Sequence, residues 1–271
     1  MQVTVRQRGF TLVEMVMVIV ILGVIGAMVA VFMRAPVDAY FDTARRAALT
    51  DTADTALRRM TRDIHKALPN SIRNPSANCI EFIPTRTGGR YRVQDSVPGD
   101  GTALDFSASD SRFNMLGSNN ALPADQRIRV GDRIAVYNLG IAGADAYAGD
   151  NTTAVTAVVD GAETAITIAA KKFPLTSPSY RFHVIPVEET VVSYVCSGGV
   201  LYRNTGYSYA TSCPAPGAGT PVMATQVAAC NLSYSGNDLQ RNALVQMTLR
   251  LTDPANESVT LYQTVHVNNT P

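Results

Sequence analysis

An unbroken apolar block near the N-terminus constrains this chain more than any other feature. Residues 15–33 contain no charged or strongly polar side chain, and residues 10–33 are interrupted only by Thr11 and Glu14. As an α-helix, residues 10–33 rise about 36 Å, which is enough to cross the hydrocarbon core of a bilayer. A secretory signal has an apolar run of roughly 7–15 residues and a small-residue cleavage site, and neither fits here. The block predicts a transmembrane helix.

The charges beside the block predict its orientation. Arg6 and Arg8 precede it and Arg34 follows it, so the positive-inside tendency places the N-terminus in the cytoplasm and the remaining chain in the periplasm. The formal net charge is +1, from 23 basic and 22 acidic side chains. Without Arg6 and Arg8, 21 basic side chains face 22 acidic ones. No basic stripe is left to neutralise a phosphate backbone, so no nucleic acid partner is expected.

Glu14 is the unusual residue of this segment, because a carboxylate inside an apolar helix costs a few kcal/mol unless it is paired or lies near the interface. Residues 8–14 read RGFTLVE. This segment resembles the type IV prepilin signature. In that family, a membrane aspartyl peptidase cuts after the Gly on the cytoplasmic side and then methylates the new N-terminal residue.

The resemblance assigns roles to three residues. It implies a leader peptide at residues 1–9, cleavage of the Gly9–Phe10 bond, and N-methylation of Phe10. Glycine suits the cleavage point because it lets a peptidase approach the backbone closely. The resemblance also implies a salt bridge between Glu14 and the Phe10 ammonium of a neighbouring subunit. Breaking such a pair in a low dielectric costs about 3–5 kcal/mol, and the pair would fix the axial register of a filament.

Small residues recur within the apolar helix. Gly23 and Ala27 are four residues apart, as are Gly26 and Ala30. This spacing lets helices approach closely in a membrane, which predicts contacts with neighbouring subunits, although glycine is also simply tolerated in transmembrane helices. Many major pilins have a helix-bending proline in the membrane half. Here the first proline is Pro36, so Pro36 or the two glycines are the candidates for a bend.

Residues 34–69 predict an amphipathic continuation of the helix. Apolar residues recur mostly at three or four positions, and charged residues fall between them, as expected for one buried stripe. The predicted stripe consists of Val37, Phe41, Ala44, Ala48, Ala53, Leu57, Met60, Ile64 and Leu68. Pro69 is expected to end the helix. The first half of the helix would then contact lipid or sister helices, and the second half its own globular domain.

A second segment carries a finer resemblance. Residues 58–73 read RRMTRDIHKALPNSIR. They are similar to the equivalent stretch of larger minor pilins, especially the MshO-like proteins of the MSHA pilus system, and of the J-type minor pseudopilins of type II secretion. An ordinary charged end of an amphipathic helix is the alternative interpretation of the same residues.

Residues 70–271 predict a β-rich periplasmic domain of short strands separated by turns. Strands are expected at 79–83, 90–93, 104–106, 127–130, 133–137, 154–159, 165–168, 180–186, 190–196, 200–203, 227–234, 244–251 and 259–267. Ser197-Gly198-Gly199 predicts a hairpin, and the last two strands predict an antiparallel pair with one face on a core. Loops are expected at 95–124 and 140–153. With the resemblance, this gives an α+β, type IV pilin-like fold in which the long helix packs on a mainly antiparallel β domain.

Four cysteines, all beyond the apolar block, predict disulfides in an oxidising compartment, with buried free thiols as the alternative. They are Cys79, Cys196, Cys213 and Cys230, and they allow three pairings between which the sequence does not decide. The position of Cys213 in the loop 207–220 favours Cys196–Cys213, which leaves Cys79–Cys230.

No pattern for catalysis or cofactor binding is found. The sequence has neither G-x-S-x-G nor G-x-x-x-x-G-K, and the aspartates of the 95–110 region are too widely spaced for an EF-hand. His65, His183 and His266 are interpreted as structural or solvated. No metal or cofactor is therefore expected, and the chain is not expected to be an enzyme.

The resemblance implies a minor pilin-like structural subunit of a type IV, MSHA-type pilus that acts in pilus assembly or initiation. The implied partners are the prepilin peptidase/N-methyltransferase, other major and minor pilins, an inner-membrane assembly platform with its ATPase, and membrane lipids. The implied location is the inner membrane, with a single pass, and then the pilus or pseudopilus. The alternatives are a minor pseudopilin of type II secretion and a bitopic periplasmic binding protein or enzyme that keeps its leader.

Overall fold

The computed structural model describes residues 9–235 and 242–271. Most of the predicted leader, including Arg6 and Arg8, lies outside these described residues. The chain divides into two compact units, Met1–Ala48 and Leu49–Pro271. One long N-terminal helix is followed by a mostly antiparallel β-sheet domain, which confirms the predicted α+β class.

The helix α1 covers Leu12–Ile64 and includes Pro36. It ends four residues earlier than predicted, because the chain after Ile64 is recruited into backbone hydrogen bonds with residues 83–85. The amide of Leu68 donates to the carbonyl of Ile83 and the amide of Thr85 to that of Lys66, both at 2.7 Å. These bonds compete with a further helical turn before Pro69 is reached.

The buried stripe of α1 is shorter than predicted. Val37, Phe41, Ala44 and Ala48 are exposed, so this half of the predicted stripe is wrong. The buried helical residues are Leu49, Ala53, Ala56, Leu57, Met60 and Ile64. Leu49 and Ala56 extend the same three-and-four spacing, and Leu68 is buried just beyond the helix.

The described residues form fourteen strands. They are β1 (Arg73–Ser76), β2 (Cys79–Phe82), β3 (Thr87–Arg90), β4 (Asp110–Met115), β5 (Arg133–Val136), β6 (Thr152–Val159), β7 (Thr164–Lys171), β8 (Arg181–Ile185), β9 (Val192–Ser197), β10 (Val200–Thr205), β11 (Val222–Ala224), β12 (Val227–Ser235), β13 (Asn242–Thr252) and β14 (Ser258–Asn268). All strand pairs are antiparallel.

Two sheets share one core with the C-terminal part of α1. The first sheet has the order β1-β2-β9-β10-β11, and the second has the order β12-β13-β14. The buried helical residues from Leu49 to Ile64 contact Phe82 and Tyr194 of the first sheet and Met247 of the second within a single apolar cluster. Each large apolar side chain buried in this way stabilises the fold by about 1.5–3 kcal/mol.

The third sheet is a continuous insertion between β2 and β9. Its order is β3-β8-β5-β6-β7-β4, and β2 and β9 pair directly with each other across the insertion. Its two end strands also meet: Tyr91 bridges to Met115, and the amide of Leu116 donates to the carbonyl of Arg90 at 2.9 Å. The six strands therefore close into a small antiparallel barrel.

The barrel has its own apolar interior, which includes Phe113, Ile134, Ile166 and Phe182. Gly89 is required by this packing. A Cβ at that position would lie 2.8 Å from the Met115 sulfur and 2.9 Å from the Phe182 ring, so no larger side chain fits without displacing the core.

The disulfides join Cys79 to Cys213 and Cys196 to Cys230. The pairing favoured by the sequence, Cys196–Cys213 with Cys79–Cys230, is therefore wrong. Cys213 lies in the loop that follows β10, and this loop lies against β2, where Cys79 is located. Cys196 lies on β9 and Cys230 on β12, so the second disulfide links the first sheet to the second covalently.

Most predicted strands are confirmed, with small differences at their ends. The confirmed strands are β2, β5, β6, β7, β8, β9, β10, β12, β13 and β14. The hairpin at residues 197–199 and the terminal antiparallel pair are also confirmed. The strands predicted at 104–106 and 127–130 are wrong, and the one at 90–93 is displaced to β3. β4 lies inside the predicted loop 95–124, and β1 and β11 were not predicted.

Candidate processing and assembly site

The predicted cleavage point lies in non-helical chain directly before α1. Gly9, Phe10 and Thr11 precede the helix, which begins at Leu12. A Cβ added at Gly9 would meet no atom within 4 Å, and Phe10 is 86% exposed. Among the described residues, nothing covers the Gly9–Phe10 bond.

Thr11 starts the helix immediately after this bond. The amide of Glu14 donates to the Thr11 hydroxyl at 3.3 Å, and the amide of Met15 donates to the Thr11 carbonyl at 3.2 Å. Thr11 is thus an N-cap, and Glu14 occupies the third helical position, which is the T-x-x-E spacing of a capping box. The T-x-x-E spacing is visible in the sequence within the same residues that resemble the prepilin signature.

The Glu14 carboxylate is exposed in the first turn of α1. A negative charge is favourable there because the helix dipole is positive at its N-terminus. Within residues 9–235 and 242–271, no cationic side chain lies within ion-pair distance of Glu14.

The apolar half of α1 exposes its hydrophobic side chains on all sides. Exposure of its large apolar residues ranges from 49% at Val18 to 82% at Phe32. Soluble monomers rarely expose a continuous apolar surface of this extent. The segment is long and apolar enough to cross a membrane, which is consistent with single-pass anchoring.

The four small residues of this segment share one face of α1. Gly23, Gly26, Ala27 and Ala30 follow the i, i+3, i+4, i+7 pattern, and a Cβ added at either glycine would meet no atom within 4 Å. At 3.6 residues per turn this face lies about 180° around the helix from Glu14. The carboxylate and the small-residue face are therefore available to different neighbours.

Comparison with known proteins gives one finding for this segment. Residues 5–30 match the family model of the prokaryotic N-terminal methylation motif. The chain carries a type IV pilin-type signal. The matched range includes Gly9, Phe10, Glu14 and the small-residue face, and it indicates a pilin- or pseudopilin-type structural subunit rather than an enzyme. Comparison with curated proteins and with solved structures finds no match to the chain.

The opposite end of α1 is held by an ionic network that was not predicted. The Asp63 carboxylate accepts hydrogen bonds from Arg203 Nε at 2.8 Å and from the Tyr194 hydroxyl at 2.7 Å. The Arg203 guanidinium also binds both carboxylate oxygens of Glu189, at 2.7 and 2.9 Å. The Glu189 contact raises the pKa of Arg203, and burial raises the pKa of Tyr194. The network fixes the helix end to β9 and β10.

The histidines differ in their surroundings. His65 and His266 are exposed, whereas burial lowers the pKa of His183 on β8 to about 4, with a smaller contribution from the charge of Arg181. His183 Nε2 is buried without a hydrogen-bond partner. In the part of the chain that the structure describes, no group of three or more His, Cys, Asp or Glu side chains could hold a metal ion.

Proposed function

We propose that this chain is a minor pilin-like structural subunit of a type IV, MSHA-type pilus, and that it acts in pilus assembly or initiation. The observation that carries the proposal is the coincidence of three features within residues 5–30. These are the matched methylation motif, an accessible Gly9–Phe10 bond, and a helix that begins two residues after that bond.

The first step is processing by the prepilin peptidase/N-methyltransferase at the cytoplasmic face of the inner membrane. Cleavage after Gly9 removes residues 1–9 and creates an α-ammonium on Phe10, which is then methylated. Because Thr11 caps α1 through its hydroxyl, the helix keeps its first turn when the leader is removed. The product is a single membrane-anchored helix that carries a periplasmic domain.

Two surfaces of α1 then mediate contacts with other subunits. The Glu14 carboxylate pairs with the Phe10 ammonium of a neighbour, and the pair is strong because lipid and sister helices exclude water. The face of Gly23, Gly26, Ala27 and Ala30 lets another helix approach closely. Because these surfaces lie on opposite sides of the helix, one subunit contacts two neighbours at once. The assembly platform and its ATPase would extract the helix from lipid.

A minor role is favoured by the inserted barrel, which spans β3 to β8 and enlarges the domain. Bulk of this kind hinders close stacking along a filament shaft. Retention of Glu14 argues against the single outermost tip position, since a subunit there has no neighbour beyond it. The proposed place is therefore among the minor subunits just below the tip.

Two filament systems share these requirements, and residues 58–73 resemble subunits of both. We place the chain in the MSHA-type system and treat a type II secretion pseudopilus as the alternative. Co-purification of the full chain with candidate minor pilins and with candidate minor pseudopilins, under identical detergent conditions, distinguishes them. Selective recovery with pseudopilins would assign the chain to secretion.

The decisive experiment is intact mass spectrometry of the membrane-extracted protein. We expect a chain that starts at Phe10 and carries one additional methyl group. Gly9→Leu should retain residues 1–9, because a side chain at the scissile bond blocks approach of the peptidase. Gly23→Leu serves as the matched control, and it should be processed normally but incorporated poorly. A wild-type product that still begins at Met1 would indicate a bitopic periplasmic protein instead.

A further inference from the structure

The last strand, β14, forms an open end of the second sheet. It pairs with β13 over eleven consecutive residue pairs, from Asn242 with Asn268 to Thr252 with Ser258, and no bulge interrupts this register. Among the strands of residues 9–235 and 242–271, β13 is the only partner of β14. The other edge of β14 therefore presents a straight row of backbone groups about 37 Å long.

The remaining sheet edges are closed or protected. The barrel joins its own end strands, β3 and β4. The outer edge of β12 is covered at Leu232, whose amide donates to the Ala77 carbonyl and whose carbonyl accepts from the Asn74 side chain. β1 has four residues, an irregular register and Pro75, and β11 has three residues, an irregular register and Pro221 before it. Short, irregular and proline-containing edges resist pairing with other chains.

β14 has none of these protective features. Its sequence, SVTLYQTVHVN, contains no Asp, Glu, Lys, Arg, Pro or Gly. Its core-facing side is only partly covered: Val265 and Val267 are buried, but Val259 and Leu261 are half-buried. On the opposite side, Tyr262 is 77% exposed. An additional strand along this edge would bury apolar surface and satisfy the free backbone groups at the same time.

We propose that β14 pairs antiparallel with β14 of a second copy of this chain. Because the other sheet edges among the described residues are closed or protected, β14 is the edge among them that is suited to accept another β14. An antiparallel pair centred on Gln263 aligns all eleven residues, places Leu261 opposite Val265 of the second copy and Val259 opposite Val267, and brings no like charges together. The contact is isologous, as in most homodimers. It does not depend on the N-terminal signal.

Disulfide cross-linking of the full chain in detergent tests the pair. Because all four native cysteines are paired, Gln263→Cys introduces a single free thiol, which lies opposite its own copy at about 4.5–5.5 Å between Cβ atoms. Under mild oxidation we expect at least about fivefold more disulfide-linked dimer than for Gln246→Cys. Gln246 is exposed, whereas Gln263 is half-buried, so a dimer formed only by random collision would favour Gln246→Cys; Gln246 lies on the central strand β13.

A second variant separates edge pairing from random collision. Thr264→Lys in the Gln263→Cys background places like charges near the centre of the pair and should return the dimer to the control level. Thr248→Lys on β13 should leave it unchanged. Equal dimer for Gln263→Cys and Gln246→Cys, no dimer from either, or cross-linking of Gln263→Cys to a different protein would each overturn the proposal.

Discussion

Residues 12–48 expose their large apolar side chains, whereas residues 49–271 bury many of theirs in a core, although α1 contributes to both regions. Met28 lies in the first region and is 63% exposed, whereas Met60 lies in the second and is fully buried. The first region has no apolar core of its own, and the second has two large ones. The position along this one helix therefore decides whether an apolar side chain is buried in the domain or exposed.

The comparison predicts that changes in the second region alter the stability of the domain, whereas changes in the first alter membrane insertion and assembly. Tyrosine fluorescence is a suitable measurement, since the chain has no tryptophan and all its tyrosines except Tyr40 lie beyond residue 48. Urea unfolding of the full chain in detergent, followed by this signal, therefore reports on the second region.

Loss of a disulfide should have the largest effect. Cys79→Ala with Cys213→Ala, or Cys196→Ala with Cys230→Ala, should each lower the free energy of unfolding by about 2–5 kcal/mol, because the cross-link restricts the unfolded chain. Loss of the first disulfide should lower the free energy of unfolding by more, because this disulfide spans 134 residues and the second spans 34. Unchanged unfolding midpoints in both variants would show that the cross-links do not constrain this domain.

A matched pair of methionines tests the boundary on α1 directly. Met60→Ala should lower the free energy of unfolding by about 2–5 kcal/mol, because it leaves a cavity in the shared core. Met28→Ala should change it by less than about 0.5 kcal/mol. If Met28→Ala destabilised the domain as strongly as Met60→Ala, the proposed division of the helix would be wrong.

The half-buried histidine of the barrel, His183, predicts a pH dependence confined to the second region. The pKa of His183 is lowered to about 4, so between pH 6.5 and 4 the unfolded chain binds more protons than the folded one. Stability should therefore fall by about 3 kcal/mol as the pH drops through this window. His183→Leu should remove this part of the pH dependence in urea unfolding at pH 7 and pH 4.5. His266→Leu, at an exposed position, should leave it intact.

Glu14 should have the smallest effect on stability and a large effect on assembly. Glu14→Gln keeps the size of the side chain but removes its charge, so the free energy of unfolding should change by less than about 0.5 kcal/mol. Processing at Gly9–Phe10 should remain normal by mass spectrometry, while incorporation into filaments should fall. Normal incorporation of this variant would exclude the proposed pair with the Phe10 ammonium.

The N-terminal helix was predictable because one continuous pattern determines it. Composition alone reveals the membrane-spanning length, and residues 8–14 carry a motif. The end of α1 was less predictable, because the bonds of Leu68 and Thr85 to distant chain stopped it at Ile64. The exposed half of the stripe, at Val37 and Phe41, shows that an amphipathic pattern identifies an apolar face but not what covers it.

Strand prediction failed where apolar residues are buried without belonging to a strand. Leu104 and Ile128 are buried in the barrel core, yet both lie in irregular chain. β4 was missed because its sequence, DSRFNM, has apolar side chains only in its second half. The disulfide pairing depends on which loop lies against which strand, and this is a tertiary property that spacing along the chain does not encode.

The barrel enters and leaves the first sheet at neighbouring points, because Phe82 of β2 lies directly opposite Val192 of β9. A segment whose two ends are already adjacent can be lengthened, exchanged or removed without altering the register of the sheet that holds it. Replacement of residues 86–188 by a short linker, which keeps Thr85 and Glu189, should therefore leave β2 and β9 paired. The helix and its two sheets would then form a frame whose strand pairing does not depend on the barrel.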